Sequence, residues 1–219
     1  MKMLFALRSA RSFSGRRSFL SGFAALSVMA TSLTACSSGA NPAFYTLAVT
    51  PGQPLSGGPR YVEVRLPTIA SGLDRDRIVT ADSGYRLTLS QNDAWSDSLS
   101  AQISHALAGD IAQRLPGSAV FAENDAVSTQ PDAYVELSVT HFSRGPSGRT
   151  QLEAILSVRA IDTNQPFYMQ RLTLEGKAPS SSAALIQDMS LLLGQLSDTA
   201  ATQLRMLQAD RASRQVTSQ

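Results

Sequence analysis

The stretch from Asp93 to Leu115 changes the period of the chain. Trp95, Leu99, Ile103, Leu107, Ile111 and Leu115 recur every four residues, with Ala106 and Ala108 between them. That spacing gathers the apolar side chains on one side of an α-helix. The pattern predicts a helix of about six turns, capped by Asn92 or Asp93 and ended by Pro116-Gly117. A second stripe starts at Leu185 and runs through Met189, Leu192 and Leu196 to Leu204 and Leu207. Two such helices cannot bury their stripes alone, so the rest of the chain must supply a surface for them.

That surface is legible as period two. Val62, Val64 and Leu66 alternate with Tyr61, Glu63 and Arg65 in the stretch 60–67, which Pro67 ends. The stretches 77–81 and 85–89 flank Asp82-Ser83-Gly84, a sequence suited to a tight hairpin turn. Residues 119–122 form a short strand candidate, and 43–49 the first strand. Three longer alternating runs follow at 132–142, 150–161 and 167–175, separated by R-G-P-S-G and D-T-N-Q-P. They read as an antiparallel meander. The expected fold is a single α+β domain: a mixed, mostly antiparallel sheet with two long amphipathic helices packed on it. Its limits are 43–208, and the polar residues 209–219 are expected to be a disordered tail.

The first 35 residues follow a different rule. They hold five basic residues (Lys2, Arg8, Arg11, Arg16 and Arg17) and no acidic one. The uncharged stretch 19–35 follows, rich in small residues. A basic head, an apolar middle and a small-residue end make an export signal. The competing reading, a membrane span, needs about 20 predominantly apolar residues; this stretch is shorter and is broken by Ser, Thr and Gly. Paired arginines in G-R-R-S-F-L, 15–20, are similar to a twin-arginine signal, and the general secretion route fits as well.

Leu33-Thr34-Ala35-Cys36 closes that segment, and Cys36 is the only cysteine. The four residues resemble a bacterial lipobox, which implies cleavage between Ala35 and Cys36. The Cys36 sulfur would carry a diacylglyceryl thioether, and its freed amine a further acyl chain. A lipidated Cys36 leaves no thiol for a disulfide, metal or catalytic role. Residues 36–42 would then be a short lipidated tether. Losing five of the 19 basic residues leaves 14 against 17 acidic ones, a net charge of −3. The sequence pI of 8.9 describes the uncleaved chain and argues for no nucleic-acid partner.

The residues that carry catalysis do not form a pattern. His105 and His141 lack the spacing of a metal pair, and neither G-x-S-x-G nor H-E-x-x-H occurs. No catalytic residue, metal or cofactor is expected. The charged run Leu73 to Arg77 reads as solvated or ion-paired, with a binding loop as the lesser reading. Trp95, the only tryptophan, either packs on the sheet or faces a partner.

A series of short motifs gives these pieces a context. Phe44-Tyr45-Thr46-Leu47 follows the cysteine closely. Val62 to Pro67, Asp76 to Thr80, Tyr85 to Leu89 and Trp95 to Leu99 come next in order. The series resembles the ABC-type transport auxiliary lipoprotein family, which includes the paraquat-inducible protein C lipoproteins. The resemblance implies an outer-membrane lipoprotein facing the periplasm. It implies a membrane attachment and an MCE-domain protein of an ABC-type transporter as partners, ring formation by copies of the chain, and no catalytic residues. The role implied is to dock the envelope-bridging component in lipid transport and envelope integrity. Ser37, where aspartate would favour the inner membrane, leans the same way. Another envelope-assembly lipoprotein, serving lipopolysaccharide export or secretion, is the alternative; a lipoprotein hydrolase is a third.

Overall fold

The computed structural model describes residues 41–81, 86–123 and 125–217. The expectations for the signal, for Ala35 and Cys36, and for the turn Asp82-Ser83-Gly84 lie outside these residues.

The alternating runs form two sheets among the described residues. The larger has the order β6-β2-β7-β8-β9. Its centre is the meander β7 (Ala133–Arg144), β8 (Thr150–Ala160) and β9 (Tyr168–Glu175), paired antiparallel throughout. β2 (Tyr61–Val64) lies parallel between β7 and β6 (Ala119–Ala122). Pairing on β7 stops after Val64 and resumes at β3 (Thr68–Ile69). Pro67 lies buried in the gap, where a residue without an N–H leaves no donor stranded.

The smaller sheet has the order β1-β5-β4. β4 (Arg77–Ala81) and β5 (Leu87–Trp95) are antiparallel, and β1 (Ala43–Tyr45) joins β5 in parallel. The single expected sheet is therefore divided, because alternation reveals which residues are extended but not which strand lies beside which.

Helices α1 (Leu99–Arg114) and α2 (Ser182–Thr217) pack against each other and the large sheet. Their stripes meet the inward face of the meander in one core. Ile103, Leu107 and Ile111 of α1, Leu192, Leu193 and Leu196 of α2, and Val135, Leu156 and Val158 of the sheet all belong to it. At about 25 cal/mol per Å² of apolar area removed from water, this shared interior is the main source of stability.

Two helix boundaries depart from expectation. α1 does not begin at Asp93. Asp93, Ala94 and Trp95 end β5, and Ser98 caps the helix by accepting from the Ala101 amide at 3.3 Å. Trp95 matches the four-residue spacing by coincidence. Its side chain is buried from a strand, opposite Tyr45. α2 does not end near 208 but runs to Thr217. Arg211 holds the extra turns by donating to the Asp132 carbonyl at 3.2 Å and the Asp162 carboxylate at 3.3 Å. Arg214 pairs with Asp210 one turn back at 2.9 Å.

Candidate functional site

The expected first strand 43–49 is a strand only to Tyr45. Beyond it, the chain crosses from the small sheet onto the helix pair, and its backbone finds helix side chains instead of another strand. The Leu47 amide donates to Gln102 Oε1 of α1 at 3.0 Å, and the Ala48 amide to Ser190 Oγ of α2 at 3.1 Å. The Thr50 amide donates to Asp110 Oδ1 of α1 at 2.6 Å, and the Leu55 amide to the Arg114 carbonyl at 2.7 Å. Each is a non-local bond that satisfies a group which would otherwise be lost to water on burial.

Two helix glycines make room for this crossing. A methyl group on Gly109 would come within 2.5 Å of Val49 Cγ2, and one on Gly194 would collide with Thr50 Oγ1 and stand 3.2 Å from its Cβ. Helix propensity alone favours alanine over glycine by about 1 kcal/mol. We expect Gly194→Ala nonetheless to destabilise the domain by about 1–3 kcal/mol, the usual cost of overpacking. Gly117→Ala, where the added carbon meets nothing within 4 Å, should be close to neutral. Urea unfolding of the two variants checks the contrast.

Beneath the crossing lies a buried ionic cluster. Asp110 is fully buried, and Arg114 is 2% exposed. Arg114 donates through Nε to Asp198 at 2.5 Å and through Nη1 to the carbonyls of Thr50 (3.2 Å) and Asp110 (3.0 Å). Its Nη2 reaches the Gly194 carbonyl at 2.9 Å. The Asp110 carboxylate accepts from the Thr50 amide and hydroxyl and from Ser197 Oγ, with Arg114 Nη1 at 4.0 Å. Burial pushes the Asp110 carboxyl above its ordinary value, opposed by the Thr50 amide, Arg114 and the two hydroxyls. The guanidinium is thus committed to carbonyls and carboxylates of the protein. An open depression of about 490 Å³ beside it is lined by Pro51, Gly52, Gln53, Leu55, Asp198 and Thr202.

The predicted signature residues separate in the structure. Leu47 and Trp95 are buried, Tyr45 is half-buried, and Thr46 is exposed with its hydroxyl on the Leu47 carbonyl. Phe44 is 68% exposed on β1. Pro67 is buried far along the other sheet. Trp95 does not face outward, which removes the partner-facing reading. In the charged run, Leu73 is buried, and Arg77 caps the Gln91 carbonyl at 2.7 Å. Asp93 is not a helix cap: Ser182 and Ser90 donate to its carboxylate, which they hold below its ordinary value. His105 Nε2 meets Asp125 at 3.3 Å on the surface. His141 is half-buried beside Ser143, and burial lowers its pKa.

Among the described residues no three His, Cys, Asp or Glu side chains gather to hold a metal, and no helix is long and apolar enough to cross a membrane. The contacts of the crossing segment are contacts of attachment. Gln102, Asp110, Arg114, Ser190 and Ser197, which do the attaching, were not legible as a group. Asp110 and Arg114 fall three and seven residues after Leu107, on the apolar stripe itself. That is the one local hint of their burial.

Residues 45–201 match the family described as ABC-type transport auxiliary lipoprotein component. The chain belongs to that family. The match starts at Tyr45, so it takes in the crossing segment, both helices' cores and both sheets. No curated protein matches the chain. Among solved structures, protein XCC0632 of family DUF330 from Xanthomonas campestris is similar at a TM-score of 0.61 and 15% identity, over 78% of this chain and 99% of that one. A second crystal structure, of an uncharacterized protein, is similar at a TM-score of 0.61 and 16% identity, over 74% and 97% of the two chains. At such identities the likeness concerns the fold. As auxiliary lipoproteins of a transport system, members of this family are membrane-associated and act alongside transporter components.

Proposed function

We propose that this chain is an outer-membrane lipoprotein, anchored through Cys36 and facing the periplasm. In this reading it is a non-enzymatic subunit that docks the MCE-domain, periplasm-spanning component of an ABC-type lipid transporter. The family match over residues 45–201 carries the reading. The crossing segment supports it: the chain next to the proposed anchor is fastened into the helix pair through Gln102, Ser190 and Asp110. A domain that must hold a partner at a fixed place on a membrane needs such a rigid junction.

The test is co-purification. The chain and the MCE-domain protein of the same transporter are co-expressed, and membranes are extracted in mild detergent. The expected result is recovery of the MCE protein with the tagged lipoprotein. Recovery of the lipoprotein alone under those conditions would overturn the docking role.

A further inference from the structure

β5 is longer than the strand beside it. β1 pairs only with Asp93, Ala94 and Trp95, so the six residues from Leu87 to Asn92 have no described strand on that side, while β4 pairs with Leu87, Thr88 and Leu89 on the other. Leu87 and Leu89 lie two residues apart, on one face of this overhang. They are 48% and 49% exposed.

The parallel register says which way the overhang points. Parallel strands begin at the same end, so the chain enters β1 from the end at which β5 starts. β5 extends past the start of β1 by six residues, about 20 Å at the usual strand rise. Cys36 precedes Ala43 by seven residues, which fully extended span about 25 Å. The overhang therefore lies at the end from which the chain enters β1, and seven residues allow at most about 25 Å between Cys36 and Ala43. A tether shorter than full stretch brings the overhang onto whatever holds Cys36.

We infer that the outer half of β5, through Leu87 and Leu89, contacts the phospholipid bilayer in which Cys36 is anchored. The inference rests on the lipid anchor proposed above. Two half-exposed leucines on a tethered overhang have apolar area left to bury, and the bilayer is the apolar phase within the tether's reach. The contact would fix the tilt of the domain on the membrane.

The test uses the full chain, expressed with its leader and reconstituted into vesicles of phosphatidylethanolamine and phosphatidylglycerol. The vesicles carry a lipid-soluble diazirine label, and labelled residues are mapped by peptide mass spectrometry. Leu87 and Leu89 should be labelled severalfold above Met169 of β9 and Met206 of α2, which are also exposed. In Leu87→Asp/Leu89→Asp the label on β5 should be lost, with the melting temperature and the acylation of the Cys36 peptide unchanged. An acylated Cys36 peptide without label on β5 overturns the contact and leaves the anchor standing. An unacylated Cys36 peptide overturns the anchor, and the contact with it. Absence of lipid label on β5 together with a self-associated species in sedimentation of the detergent-solubilised chain also overturns it, in favour of self-association along the free edge.

Discussion

Arg114→Ala is expected to lower the melting temperature on the order of 10 °C, for a loss of about 3–5 kcal/mol. The side chain is buried and makes four hydrogen bonds, to Asp198 and to the carbonyls of Thr50, Asp110 and Gly194. Its removal takes the donor from the Thr50 carbonyl, a second donor from the helical carbonyls of Asp110 and Gly194, and the cationic neighbour from the Asp110 carboxylate. The effect should depend on pH in a defined direction. Asp110 already has a folded-state pKa above its ordinary value of 3.8, and the Arg114 charge is one of the forces opposing that rise. Without Arg114 the folded-state pKa rises further. A raised carboxyl pKa destabilises the fold when the group is ionised, and the penalty fades as pH falls through the folded-state pKa toward 3.8. The gap between variant and wild type should therefore be widest at neutral pH and narrow on acidification. Melting curves from pH 7 downward check this; a gap that is constant with pH would mean that Arg114 acts on the fold without acting on Asp110. Asp110→Asn in the same background should flatten the dependence.

Cys36→Ser is expected to release the protein from the membrane or to leave it uncleaved. Each methylene of an acyl chain buried in the bilayer contributes about 0.8 kcal/mol, so two or three chains on one residue hold far more firmly than the single chain that binds only marginally. Serine has no thiolate to take the diacylglyceryl group. The variant should appear uncleaved or in the soluble fraction, read by fractionation and by the mass of the N-terminal peptide. A variant that is still cleaved and still sediments with membranes would sink the anchor. Because the crossing segment begins beyond the tether, the domain released should melt as the wild type does.

The meander was the most legible part of the chain. The runs 132–142, 150–161 and 167–175 correspond to β7, β8 and β9 within about two residues, because one buried face and one open face print themselves as alternation. The stripe from Leu99 to Ile111 was equally plain. The misreadings share a cause. Trp95 has the right spacing for a helix, and residues 46–49 have the composition of a strand, so local pattern places them there. What decides their structure is remote: the partners of Leu47, Ala48 and Thr50 lie 55, 142 and 60 residues away. The same holds for 209–217, where Arg211 reaches Asp132 and Asp162. The candidate site was half legible. F-Y-T-L begins the crossing segment, but nothing in those four residues tells that two glycines and a buried ion pair on the helices receive it.

The parallel alignment of β1 with β5 also sets how the molecule meets mechanical force. If Cys36 is anchored as proposed, a pull transmitted through residues 36–42 would arrive at Ala43 and, directed along the strand, run toward the start of β5. The backbone bonds of β1 then share the strain in shear and cannot open one after another like a zipper. The next contacts in line are the amides of Leu47, Ala48 and Thr50, held on two helices at once. Thermal jostling of the membrane, or tension from a docked partner, would be spread over both helices before any part of the core is asked to yield.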